Sequence, residues 1–197
     1  MDRQRLQVPR GLKKVLLHSC CAPCSGEIIE AMLYSEVEVS ILFYNPNVHP
    51  REEYEKRKGE LICFADKLRV PFFDADYEKG RWFESVKGFE REQEGGRRCS
   101  ICFDLRLQKA ASYADRHGIQ VFTTSLGISR WKNFEQVSES GFQAAKSYKD
   151  LIYWSYNWRK GNGSRRMYEI AKRENFYRQA YCGCVYSSGD FNFSTTV

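Results

Sequence analysis

Short apolar runs separated by longer amphipathic stretches set the rhythm of this chain. Residues 14–18 (KVLLH), 37–45 (VEVSILFYN), 70–77 (VPFFDADY), 119–126 (IQVFTTSL) and 150–157 (DLIYWSYN) are brief, apolar and rich in β-branched or aromatic side chains, which predicts five strands. Between them, helical periodicity covers 25–35, 51–68, 79–90, 103–117, 133–148 and 164–176, broken at Gly, Pro or Asn. Strands alternating with helices imply right-handed crossovers and a parallel sheet covered on both faces. The expected fold class is therefore α/β, a doubly wound, Rossmann-like sheet of about five strands. No internal repeat or low-complexity linker interrupts it.

At 197 residues the chain suits one well-buried domain. The expected organisation is a basic N-terminal extension (1–13), one α/β domain (14–186) and a loose C-terminal tail (187–197). No apolar run approaches a membrane span, and the apolar stretch after the basic start is too short for a secretory signal. A cytoplasmic setting is expected.

In a reducing compartment eight cysteines point to metal binding or redox work rather than a disulfide framework. Seven of them cluster: Cys20, Cys21 and Cys24 in HSCCAPC, Cys99 and Cys102 in RRCSIC, Cys182 and Cys184 in YCGC. The eighth, Cys63 in ELICFADKL, reads as a small buried hydrophobe. Parallel sheets bind ligands beyond the carboxyl ends of their strands, and HSCCAPC leaves the first predicted strand there. The loop enters a helix whose N-terminal peptide groups favour thiolates. RRCSIC sits ahead of or within the first turn of another helix, with Arg97 and Arg98 adding charge, and YCGC follows the last helix.

A structural zinc site normally takes four ligands in two C-x-x-C knuckles, and only Cys99 and Cys102 supply one cleanly. Seven thiols exceed that need. A 4Fe-4S cluster takes four thiolates, leaving others for a second metal or for cycling between dithiol and disulfide. On placement at loop-to-helix junctions, Cys20, Cys21, Cys99 and Cys102 are the expected cluster ligands. Cys182 and Cys184, with Gly183 between them, are expected to form a strained, easily reduced disulfide able to store two electrons; metal ligation by this pair is the alternative.

Together, HSCCAPC, YNPNVHP followed by EYEKR, RRCSICFDLRL, FTTSLGISRWKN and NWRKGNGSRRMYEIAKRENFYRQAYCGC resemble the epoxyqueuosine reductases of the QueH type, in order over about 14–186. The resemblance implies an adenine-nucleotide alpha-hydrolase-like fold. It also implies reduction of the epoxide of epoxyqueuosine to queuosine at the tRNA wobble position, with an iron-sulfur cluster and no cobalamin. The implied substrates are the tRNAs for tyrosine, histidine, aspartate and asparagine, and an external electron donor is needed that the residues do not identify. It allows a mononuclear iron beside the cluster, for which Cys24 is the expected ligand. Asn45, Tyr54, Arg57, Ser129, Arg130, Lys132 and Asn133 are implied to line the substrate site, although Asn45, Pro46 and Asn47 form a turn by their own chemistry.

Related enzymes of this broad fold thiolate tRNA using ATP, but their phosphate loop reads S-G-G-x-D-S, and the corresponding turn here is HSCCAPCSG. ATP binding is not expected. A zinc-stapled tRNA-binding module without catalysis is a second alternative. The net charge of +6 suits phosphate contact in either case. Residues 159–178 are the expected footprint, with Arg159, Lys160, Arg165, Arg166, Lys172, Arg173 and Arg178 against two glutamates. Trp154, Tyr156, Trp158, Tyr177 and Tyr181 flank it as stacking candidates. His18 reads as a hydrogen-bonded strand-end residue, and His49 and His117 as surface residues.

Overall fold

The computed structural model describes residues 3–187. Five strands form one parallel sheet: β1 (Lys14–Ser19), β2 (Glu38–Phe43), β3 (Phe72–Asp74), β4 (Val121–Thr124) and β5 (Ile152–Tyr153). Their order is β3-β2-β1-β4-β5. All four pairings are parallel, with Leu17 opposite both Ile41 and Thr123. The chain moves outward from β1 to one side, then returns to its other side, so the switch point falls between β1 and β4. That is where an open sheet of this kind leaves a crevice.

Six helices cover the faces: α1 (Ala22–Tyr34), α2 (Arg51–Leu68), α3 (Lys79–Ser85), α4 (Arg97–Arg116), α5 (Phe134–Lys146) and α6 (Gly163–Arg173). Period-two alternation along β1 divides the core. Val15 and Leu17 face α1, α2 and α6 with Ile28, Leu61 and Ile170, whereas Leu16 faces α3, α4 and α5 with Trp82, Leu107 and Val137.

The expected strands and helices are all present, with informative differences at their ends. α1 begins three residues early because Pro23 stands in its first turn, where a missing N–H costs nothing, and Cys21 becomes the N-cap. α4 begins at Arg97 rather than 103, so of the two placements expected for RRCSIC the one inside the helix holds, with Cys99 in the first turn and Cys102 in the next. α3 ends at Ser85 instead of 90, and β5 is a two-residue edge strand where eight residues were expected.

Two of the expected burials are corrected. Cys63 is exposed: Leu61, Phe64, Ala65 and Leu68 form the inward stripe of α2, and Cys63 falls off it. His49 is buried, its ring against Trp82 and Phe83 and its Nδ1 2.9 Å from the Tyr77 hydroxyl. His117 is exposed as expected. In the expected N-terminal extension, Arg3 donates to Glu27 at 2.6 Å and Leu6, Val8 and Leu12 pack against the core. Apart from Ser187, the expected tail lies outside the described residues. Among the described residues no helix is long and apolar enough to cross a membrane.

Candidate metal and redox centre

The cleft is built from the ends of β1 and β4. Ser19 ends β1 and the chain turns through Cys20 and Cys21 into α1. Ser125, directly after β4, accepts a hydrogen bond from the Cys20 peptide N–H at 3.0 Å and donates to Cys20 Sγ at 3.3 Å. These two bonds fasten the thiol turn to the neighbouring strand end. His18 supports it from within: its Nδ1 lies 2.8 Å from Thr124 Oγ1 and its Nε2 3.1 Å from the Tyr44 carbonyl. Burial lowers its pKa to about 3, so the ring is neutral and structural.

Cys20, Cys21 and Cys24 place their sulfurs within 4.8 Å of one another. Cys20 Sγ and Cys21 Sγ are 3.7 Å apart. Two thiolates at about 2.3 Å from one tetrahedral ion sit at about that separation, so the donor set fits a thiolate-bound metal. The three thiols share their protons unequally. Hydrogen bonds from Cys21 and Cys24 hold Cys20 well below the usual thiol value. The same bonding to Cys20 pushes Cys21 up to about 12 and raises Cys24 as well.

The second group of thiols lines an adjoining crevice. Cys99 and Cys102 stand one helical turn apart on α4, and Cys182 and Cys184 come from the chain after α6, as expected for a segment folded back over the strand ends. Burial raises the pKa of Cys99 and Cys102. A hydrogen bond with Cys184 lowers that of Cys182 and raises that of Cys184. All the described cysteines are free thiols, so the Cys182–Cys184 disulfide is not formed in this structure. Gly183 between them has a φ of +102°, and a Cβ there would meet Val48 Cγ2 at 2.8 Å.

A larger cleft of about 420 Å³ opens above Cys20, Cys21 and Cys24, and it shares Glu94, Arg106, Trp131, Lys132 and Cys182 with the crevice. Lys132 lies between the two groups. Burial works against its ammonium, but Cys20, Cys182 and Cys24 together outweigh it and raise its pKa. Arg106 is buried, with no carboxylate partner among the described residues; Nη2 donates to Asn45 Oδ1, and Nε has no partner. A buried guanidinium in that state requires anionic charge nearby, and the thiols supply it.

The other expected site residues divide. Ser129, Arg130, Arg178 and Tyr181 line the larger cleft, and Arg159, Lys160 and Asn133 border a shallow depression beside Lys132. Asn133 also caps α5, accepting from the Gln136 N–H at 3.0 Å. Asn45 donates to the Ser19 carbonyl at 2.9 Å and so braces the thiol turn from below. Arg57 reaches the cleft but is engaged with Glu53 and with the carbonyls of Tyr181 and Cys182. Tyr54 is buried under Tyr77 and does not reach the cleft.

Several basic residues on α6 have carboxylate partners within the chain, although Arg165, Lys172 and Arg173 are exposed. Arg166 pairs with buried Glu27 at 2.7 Å, Arg173 with Glu30, and Arg165 with Glu169 at 2.8 Å. Trp154 and Trp158 are core residues packed on one another rather than stacking platforms, because their strand end is covered by α1 and α6. Tyr177 is held by Glu53 and lies under Lys56. Arg98 borders the crevice of the second thiol group, where its charge opposes the burial that raises Cys99, and it donates to the carbonyls of Phe89, Glu90 and Glu92, shaping the loop before α4.

Sequence reasoning missed Arg106 and Trp131. Arg106 carried a signal: with Cys99 and Cys102 it completes an i, i+3, i+7 stripe on α4. Trp131 carried none beyond its place in SRWKN.

Fold and cleft together define a class: a parallel α/β protein with a thiol-lined, cation-flanked pocket at its switch point, built for metal-dependent or thiol redox chemistry. The family model for epoxyqueuosine reductase QueH matches residues 15–190. The epoxyqueuosine reductase QueH of Haemophilus influenzae is 58% identical over 190 residues, spanning 96% of this chain and 78% of that protein. That of Acinetobacter baylyi is 57% identical over 96% of this chain and 87% of its own length. The more distant Thermotoga maritima protein is 31% identical over 88% of this chain and 89% of its own. This chain belongs to the QueH family of epoxyqueuosine reductases, oxidoreductases of queuosine modification in tRNA.

Proposed function

We propose that this protein reduces the epoxide of epoxyqueuosine to queuosine at the wobble position of tRNA, using thiolate-bound iron and neither cobalamin nor ATP. The observation that carries the reading is the cleft itself, in which seven thiols from three distant segments meet two cations at the switch point of the sheet.

Cys20, Cys21, Cys99 and Cys102 are the residues that would hold a 4Fe-4S cluster, and Cys24 a further iron ion beside it. Support comes from the helical starts that carry both pairs and from the packing of Cys24 against Cys20 and Cys21. Such iron would supply one-electron transfer and a Lewis-acidic contact for the epoxide oxygen. Lys132 and Arg106 offset the negative charge of several thiolates in one buried place.

Converting the epoxide to an alkene takes up two electrons and two protons and releases water. The Cys182 and Cys184 pair, on going from thiol and thiolate to disulfide, releases two electrons and one proton; solvent supplies the second proton, which balances the reaction, and an external reductant then restores the pair. Support for this store is the polarisation of the pair: Cys184 keeps its proton and shares it with Cys182, which leaves Cys182 as the thiolate. Arg130, Lys132, Arg159, Lys160 and Arg178 supply phosphate contacts around the cleft, where an unpaired loop can enter. The substrates are the tRNAs for tyrosine, histidine, aspartate and asparagine.

The test is anaerobic reconstitution with iron and sulfide, then incubation with epoxyqueuosine tRNA and a strong reductant, without cobalamin or ATP. Nucleoside mass spectrometry is expected to show loss of one oxygen. An iron-replete protein that binds the tRNA and leaves the epoxide intact under several reductants overturns the reading.

A further inference from the structure

Trp131 stands apart from every other large apolar side chain of the described residues. It is 72% exposed, against 51% for Tyr34, the next highest. Its position is not random surface: the indole borders both the larger cleft and the crevice of the second thiol group. Arg130 places its guanidinium carbon 4.5 Å from the ring centroid, giving the indole a cationic companion. Lys132 follows immediately, and Arg178 and half-exposed Tyr168 border the same cleft from the α6 side. At the mouth of the cleft the indole presents an open flat face for stacking, and the surrounding cations select a ligand that is anionic as well as flat. An unpaired nucleotide is both.

We propose that Trp131 is a positioning residue that stacks on an unpaired base of the RNA loop and holds it over the cleft. The inference rests on the reading that a tRNA loop enters this cleft. It assigns the contact to one side chain that the basic footprint on α6 did not include. Arg130 limits the ring's freedom, and the flanking phosphates fall to Lys132 and Arg178. Base stacking on an aromatic ring is tolerant of sequence, so the contact serves several tRNAs alike.

The test is equilibrium binding of a fluorescent, unmodified anticodon stem-loop RNA to the iron-loaded protein, measured by anisotropy. It needs no turnover, so its failure is distinct from failure of the reductase reading. Trp131→Ala is expected to weaken loop binding about tenfold or more, and Trp131→Phe to stay within about threefold of the parent. A duplex RNA of the same composition without a loop should bind all three proteins equally. At this exposure neither substitution should move the thermal midpoint. Unchanged loop affinity in Trp131→Ala, or an equal loss for the duplex, would overturn the assignment.

Discussion

Arg57 on α2 holds the carbonyl of Cys182 at 3.1 Å, 125 positions further along the chain. A second nitrogen donates to the Tyr181 carbonyl at 3.2 Å, and Nε donates to Glu53 at 2.7 Å. The guanidinium is buried, so these bonds are made away from water and have no ready replacement.

Removing the clamp should therefore loosen the loop that carries Cys182 and Cys184. Arg57→Ala is expected to cost about 2–4 kcal/mol in chemical denaturation, since it leaves Glu53 without its cation and two carbonyls without this donor. It should also speed alkylation of Cys182. Unchanged stability and unchanged alkylation would show that the clamp is incidental.

Gly183→Ala tests the same loop from the other side. Its Cβ would meet Val48 and the Arg57 guanidinium in a left-handed backbone, so a loss of about 1–3 kcal/mol is expected, with impaired re-formation of the dithiol pair. An alanine variant as stable as the parent would contradict the tight fit.

Thiol titration of the metal-free protein should be strongly uneven. On a Cys63→Ser background, Cys20 and Cys182 are expected to alkylate at neutral pH while Cys21, Cys24 and Cys184 react only in alkali, because each thiolate is stabilised by neighbouring thiols that keep their protons. Arg106→Gln should move Cys20 to higher pH by removing a nearby positive charge. Seven thiols titrating together would contradict the arrangement.

His18 makes a signed prediction about acid stability. Its folded pKa of about 3 lies below the ordinary 6.5, so the unfolded chain binds the proton first as pH falls. Its contribution is fully present above pH 6.5 and declines below it by about 1.4 kcal/mol per pH unit until about pH 3. His49, lowered to about 4 by burial, adds to the same window. Denaturation curves between pH 7 and 5 should have a shallower pH slope in His18→Gln; an identical slope would mean His18 is not the group responsible.

Much of this molecule was legible beforehand because its signals are local. Apolar runs marked the strands, and the C-x-x-C and C-x-C spacings marked the thiols whatever the tertiary structure. The strand-end position of HSCCAPC then followed from a general property of parallel sheets. What escaped was decided by distant partners. Trp154 and Trp158 look like stacking platforms until α1 and α6 cover them, and Arg166 looks free until buried Glu27 claims it across 139 positions. Cys63 is the reverse case: Leu61, Phe64, Ala65 and Leu68 already stand at i, i+3, i+4 and i+7 in the sequence, and Cys63 lies off that stripe.

The thiol turn at the end of β1 is the proposed place of chemistry. Cys24→Ala, loaded with iron and held with saturating epoxyqueuosine tRNA and reductant, should bind RNA with parent affinity while single-turnover nucleoside analysis finds the epoxide intact. Queuosine formed at the parent rate by that variant would contradict the claim that reduction occurs over Cys20, Cys21 and Cys24.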